Sequence, residues 1–327
     1  MIAKNFPVNI NKKQIFILSV PIFFSNLAIP LTGVIDTGLM GNLGQTKFLA
    51  ATSIAASIMT LIIWSFAFLR MGTVGIVAQL YGRSDYREIA KTLIRNILFG
   101  FLISILIILL KPKIIDITQS FFPTSVSTQQ LITTYISVRI FSIPAEFAIF
   151  VLLGFFLGIQ KTKISSLIVI IMSILNVVFS SFFVLSLNLN ILGVVLGTLI
   201  ANYITAFIFL VFTYNYIVKK FQIVPTLQKI LNLSKIVKLF NINLDIFVRT
   251  AFLTFAFLWV TYLGARLGED YLAANTILMQ FIVFSSFFLD AYAFSTEGIV
   301  GFTIGRKNKK SFLLIVKNSI QISFTPL

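Results

Sequence analysis

Long apolar runs alternate with short basic segments along the whole chain. The runs cover residues 14–40, 49–69, 92–110, 129–159, 164–187, 191–217, 246–265 and 272–294, the last continuing to 304. Each is long enough, as a helix, to cross a hydrocarbon layer about 30 Å thick. The first would be about 40 Å long, so a tilt or kink is expected. Pro21 and Pro30 supply the kink sites. The basic start and first run continue far past a signal-peptide core and lack a small-residue cleavage site, so they read as the first span. Gly82-Arg83-Ser84-Asp85 reads as a turn. Residues 111–128, with Pro112 and Pro123, read as a loop carrying a short interfacial helix. Residues 219–243 are basic and amphipathic, suited to lie along a membrane surface, and form the best domain boundary. A ninth apolar run covers 311–327.

Composition agrees: 58% of residues are hydrophobic, 11% are charged, and mean hydropathy is +0.99. Soluble domains hold about 25% charged residues, so the expected class is an all-α integral membrane protein. The net charge of +16 invites a nucleic-acid partner. Its placement argues for a lipid bilayer instead. With a cytoplasmic N-terminus, the outer loops hold only Lys47, Lys111, Lys113 and Arg266, and Arg139 lies inside a span. The other Lys and Arg residues, Arg70 among them, fall on inner segments, as the positive-inside rule requires. The chain has no Cys and no His, which removes disulfides, thiol nucleophiles and His-based metal or catalytic sites. No metal site and no cofactor are expected.

A few polar residues interrupt the spans. Asp36 is a carboxylate near the outer end of the first, and an acid in hydrocarbon is a functional candidate by default. The alternative is an interfacial acid facing water. Arg139 and Glu146 are seven apart, on nearly one helix face, with Pro144 between them. They read either as a network supporting a cavity or as a compensating pair that fixes helix register. Asn176 and Ser180 share a face and either line a pathway or bond a neighbouring helix. Asp290 and Glu297 are again seven apart and read as polar support rather than a catalytic pair.

The two ends of the chain also match each other. At an offset of 223 residues, Leu49-Ala50-Ala51 falls on Leu272-Ala273-Ala274, Gly75-Ile76-Val77 on Gly298-Ile299-Val300, and Gly82-Arg83 on Gly305-Arg306. Leu43-Gly44 matches Leu267-Gly268 after a one-residue shift. Two halves of one orientation, related by an axis along the membrane normal, are a transporter design with the substrate path between halves. The first half holds six spans, and the repeat predicts about 110 residues more than the second half provides.

PIFFSNLAIPLTGVIDTGLMGNLG, YISVRIFSIPAEFAIFVLLGFFLGIQKTK and LDAYAFSTEGIVG together resemble the multidrug and toxic compound extrusion (MATE) family, most closely its DNA-damage-inducible branch. The resemblance covers nearly the whole chain and implies a twelve-helix, two-lobe fold. Here it would comprise a six-helix N-lobe over 1–217, a cytoplasmic amphipathic linker over 218–245, and an incomplete C-lobe over 246–327. It implies a multi-pass protein of the bacterial inner membrane, not an enzyme, that exports small organic, often cationic, compounds in exchange for H⁺ or Na⁺. Carried over by position, Asp36 is the lead ion-binding carboxylate, Asn176 and Thr198 complete its site, and Pro21 couples ion binding to helix shape. Ser180 stands where the family often has a second acid. That loss weakens a Na⁺ site more than a proton site, because a lone Asp still titrates. Two alternatives remain: a truncated remnant or split half whose missing helices come from a second chain, and a flippase for lipid-linked sugars. A flippase would carry more cations in its cavity, whereas Arg139 is the one clear intramembrane cation in the sequence.

Overall fold

The computed structural model describes residues 12–43, 46–122, 124–223, 244–250 and 269–324, with scattered positions over 252–263. All regular structure among the described residues is helical. The helices are α1 Lys12–Gly41, α2 Thr46–Ser65, α3 Phe68–Gly82, α4 Tyr86–Leu109, α5 Lys111–Phe121, α6 Val126–Arg139, α7 Ile143–Gly158, α8 Thr162–Ser181, α9 Asn190–Tyr216, α10 Glu269–Gly305 and α11 Lys309–Phe324. Six stretches among the described residues are long and apolar enough to cross a membrane: Lys12–Gly41, Lys47–Gly82, Tyr86–Leu109, Val126–Gly158, Thr162–Ser186 and Asn190–Phe221. The chain is a multi-pass membrane protein. The expected linker over 218–245 and seventh span over 246–265 lie largely outside the described residues.

Local chemistry explains the element boundaries. Pro21 and Pro30 both lie inside the continuous helix α1, where each removes one backbone donor. The loop expected to carry a short helix forms α5, with its proline at the start, where the missing N–H costs nothing. The Gly82 turn ends α3, and the Asp85 side chain caps α4 by accepting from the Glu88 N–H at 3.1 Å.

One expectation is corrected. Residues 47–82 form a single candidate span of 36 residues, so Arg70 sits inside it and not on an inner basic segment. The apolar run continues through Val74 and Val77, both fully buried, and the polar turn comes only after Gly82. Arg139 is therefore not the one intramembrane cation.

The repeat extends to turn geometry. Ser84 and Lys307, 223 residues apart, have left-handed φ of 60° and 56°. Asp85 caps Glu88 as Asn308 caps Ser311, both at 3.1 Å. The backbone bonds correspond too: Arg83 N–H to Gln79 O at 3.1 Å, and Arg306 N–H to Phe302 O at 3.0 Å.

The centre of the molecule is α7. Apart from Glu146 in its first turn it is apolar all round, the pattern of a buried helix, and Phe147, Phe155 and Phe156 are fully buried. It packs on α3, α4, α8 and α9. Its Gly154 and Gly158 let α3 approach closely: a Cβ added at 154 would lie 2.6 Å from Arg70 O, and one at 158 would lie 2.8 Å from Val77 Cβ. On its other side, α3 packs on α10.

This arrangement predicts opposite effects at two glycines of similar sequence context. Gly158→Leu overpacks the α3–α7 contact and costs about 1–3 kcal/mol. Gly75→Ala meets nothing within 4 Å and, in a helix interior, gains about 0.5–1 kcal/mol. Melting temperatures of the two variants in detergent check this.

Candidate functional site

Two polar centres lie inside the helical body. The first is built by α1, α6, α7, α8 and α9. The α8–α9 contact is set by Gly197, where an added Cβ would lie 2.5 Å from Ser180 N. This close approach brings the Asn176/Ser180 face of α8 onto Thr198 of α9. Asn176 Nδ2 donates to Thr198 Oγ1 at 2.8 Å, and Thr198 Oγ1 donates back to Val194 O at 3.0 Å. α1 packs on α8 and brings Asp36 beside Ser180 and within electrostatic reach of Arg139. Asp36 Oδ1 and Asn176 Oδ1 are both buried and have no hydrogen-bond partner among the described residues.

Arg139 ends α6, and Glu146 lies one turn into α7. The Arg139 guanidinium bonds Glu146 and Ser142 directly. Glu146 Oε1 also accepts from Asn202 Nδ2 at 2.6 Å and lies 3.1 Å from Ser142 Oγ. This glutamate is therefore closed off by three partners, while Asp36 keeps an oxygen without one. Asn202 was missed in the sequence; its signal was the four-residue spacing from Thr198 on an apolar helix. Ser142 lay in plain view between Arg139 and Glu146 but is too common a residue to single out.

The second centre joins α3 to α10. Asp290, Phe294 and Glu297 follow a four- and then three-residue spacing and share a face of α10. Arg70 of α3 stacks on the Phe294 ring, with Cζ 3.6 Å from its centroid, and feels both flanking carboxylates. The structure thus gives Asp290 and Glu297 a cation that the sequence had assigned elsewhere. It places them with Arg70 and not with the Asp36 group.

An all-α membrane body with buried charge inside its spans is the class this geometry defines, and comparison with known proteins narrows it. The MatE family model matches residues 21–182. The chain is 32% identical over 301 residues to the DNA damage-inducible protein F of Escherichia coli K12, covering 92% of this chain and 65% of that protein. It is 21% identical over 274 residues to the multidrug export protein MepA of Staphylococcus aureus RF122, covering 83% of this chain and 60% of that protein. Among solved structures, one described as MATE in the bent conformation superposes with a TM-score of 0.88 at 18% identity, covering 97% of this chain and 71% of that one. One described as the outward-facing conformation of a multidrug resistance MATE transporter gives 0.85 at 18% identity, covering 97% and 70%. Over nearly half of its length the chain matches the MATE family model, and its helices follow the two-lobe fold of the MATE transporters. It spans somewhat less than two thirds of the length of these two curated relatives.

Glu146→Ala leaves the Arg139 guanidinium buried without its partner and should cost about 3–5 kcal/mol. Replacing both, Arg139→Met with Glu146→Leu, should recover most of that loss. Folded yield in detergent, compared across the two variants, reads the difference. Equal losses would mean that the pair is not the stabilising unit.

Proposed function

We propose that this chain provides the exchange site of a secondary antiporter that exports small organic cations in exchange for protons, with Asp36 as the exchange carboxylate. The N-lobe would cover 1–217, the linker 218–245 and the C-lobe would begin at 246, with the N-terminus cytoplasmic in a bacterial inner membrane. The observation that carries the reading is the contrast between two acids. Glu146 Oε1 is met by Arg139, Ser142 and Asn202. Asp36 keeps a buried oxygen without a donor, and Asn176, one helical turn from the Ser180 that Asp36 faces, keeps another. An unpaired carboxylate oxygen in low dielectric is costly, and binding a proton or a cation relieves that cost. Ser180 faces Asp36, and the Asn176–Thr198 pair lies on the same α8–α9 contact. With one carboxylate and no second acid at position 180, the group suits a proton better than Na⁺. Pro21 and Pro30 leave α1 with missing backbone donors, which allows its shape to follow the state of Asp36. The family and the multidrug transporters among its relatives support the cargo class.

The flippase reading draws on Arg70 as a second intramembrane cation. Arg70 faces two carboxylates, so that patch favours cations over phosphates.

The test is ΔpH-driven export of a fluorescent organic cation from everted vesicles, with the chain expressed together with the remaining helices of the two-lobe fold. Asp36→Asn should abolish export while membrane abundance is unchanged, and Asp36→Glu should retain part of it. Replacing the proton gradient by a Na⁺ gradient should not drive export. Undiminished export by Asp36→Asn would end the proposal.

A further inference from the structure

The contact between α3 and α10 has an internal symmetry that the sequence repeat makes visible. Along one face of α3, at four-residue steps, stand Arg70, Val74, Ala78 and Gly82. An added Cβ at Gly82 would run into the carbonyl oxygen of Phe302, and one at Gly305 into that of Gln79. Gln79 and Phe302 are repeat mates at the 223-residue offset, as are Gly82 and Gly305. The two contacts are therefore one contact made twice. Between them, a Cβ at Gly301 would lie 2.6 Å from Ala78 Cβ, and these residues are also repeat mates. A contact in which residue i meets j while the mate of i meets the mate of j is self-complementary about a two-fold axis. Here the axis passes by Ala78 and Gly301, between the two lobes.

At the far end of the same α3 face is Arg70. Its guanidinium rests on Phe294, with Asp290 four residues before the ring and Glu297 three after. It makes no direct ion pair with either acid among the described residues, and its Nη1 is buried without a hydrogen-bond partner. Arg249 also acts on Asp290. A ring flanked by two carboxylates is a cation-recognition face, and here that face is occupied by the protein's own cation, borne by the other lobe.

We propose that Arg70 is a latch between the lobes, holding α3 on α10 by occupying the Asp290–Phe294–Glu297 face, and that an organic cation taking that face displaces it and frees the glycine crossing below. This rests on the cation-export reading and names the residue with which cargo competes. The rule it sets for cargo is a flat or bulky cation able to cover a phenyl ring, since a small hydrated ion gains little there.

The absence of native cysteine gives a direct test. Introducing Ala78→Cys and Gly301→Cys places two thiols on the axis, where a small relaxation reaches the Cβ separation of about 3.5–4.5 Å that a disulfide needs. Disulfide formation in membranes is read as loss of maleimide labelling, with and without tetraphenylphosphonium. The disulfide should form readily in the parent pair and several-fold more slowly with tetraphenylphosphonium. Adding Arg70→Gln should slow it without the cation and abolish the response. Phe294→Leu, which keeps every charge, should do the same, and Arg70→Lys should restore part of the effect. No disulfide in the parent pair, or an unchanged rate in both Arg70→Gln and Phe294→Leu, overturns the latch. Export of the cation, followed in parallel, separates the two ideas. Export with an Arg70-independent disulfide overturns the latch alone, whereas neither export nor any response to the cation overturns both.

Discussion

The cost of a charge inside hydrocarbon shapes this molecule more than any other constraint. Four carboxylates, Asp36, Glu146, Asp290 and Glu297, and two guanidiniums, Arg70 and Arg139, meet between helices, and the protein handles them in three ways. Glu146 and Arg139 are closed on each other, with Ser142 and Asn202 completing the coordination, so neither is free to respond to anything. Arg70 is held by an aromatic face and by the field of Asp290 and Glu297, without direct contact. Asp36 is left with an unsatisfied oxygen. The first arrangement closes its charges on each other, and in our proposals the second joins the lobes reversibly and the third takes a ligand. The energies order them in the same way. A buried pair in contact is expensive to break, a cation–π contact is worth about 0.5–2 kcal/mol, and an unpaired acceptor gains by being filled.

The second constraint is backbone proximity. In a membrane the apolar faces of helices gain little by meeting, because lipid is as apolar as leucine. Association then depends on how closely backbones approach. α3 is gripped on one side by Gly154 and Gly158 of α7 and on the other by Gly301 and Gly305 of α10. It is the element through which the first lobe's core is connected to the second repeat. The α7 side carries no charge at its contact and has fully buried phenylalanines behind it. The α10 side carries Arg70 and ends in a polar turn. The uncharged grip stays within the first repeat, and the charged one, where the backbones approach still more closely, joins the two repeats.

Much of the fold is legible in the sequence because a bilayer leaves one solution for each apolar run. The six spans among the described residues, apart from the inner end of the second, the Asp85 turn, the α5 helix at a proline start and the repeat could be read from spacing and hydropathy. The candidate site was legible in part. Asp36, Arg139 and Glu146 stand out because charge in an apolar run is rare, and Asn176 and Ser180 because they share a face. Arg70 was misplaced because a basic residue at the end of a 20-residue window looks like a loop residue. Only the structure shows that the helix turns at Phe66–Ala67 and runs on to Gly82. Asn202 was passed over because its four-residue spacing from Thr198 does not reveal its acceptor, Glu146, which lies 56 residues away. The glycine contacts have the same character: the repeat shows that Gly82 and Gly305 correspond, but not that each faces the carbonyl of the other's neighbour.

That last difference bears on how a duplicated lobe acquires a gate. Duplication supplies two copies of one helix face, and placing the copies across a two-fold axis makes the face meet itself. Whatever the ancestral face carried, its copies then meet in pairs, so a glycine next to a carbonyl yields two interlocking notches without further change. Charge does not follow this rule, since like residues facing like across the axis repel. Arg70 would meet its own mate at position 293, which here is Ala. Divergence at this position, with Phe294 adjacent and acids at 290 and 297, converts a symmetric repulsion into an asymmetric attraction. The symmetric part of the contact thus supplies its shape, and the asymmetric part supplies the means of releasing it.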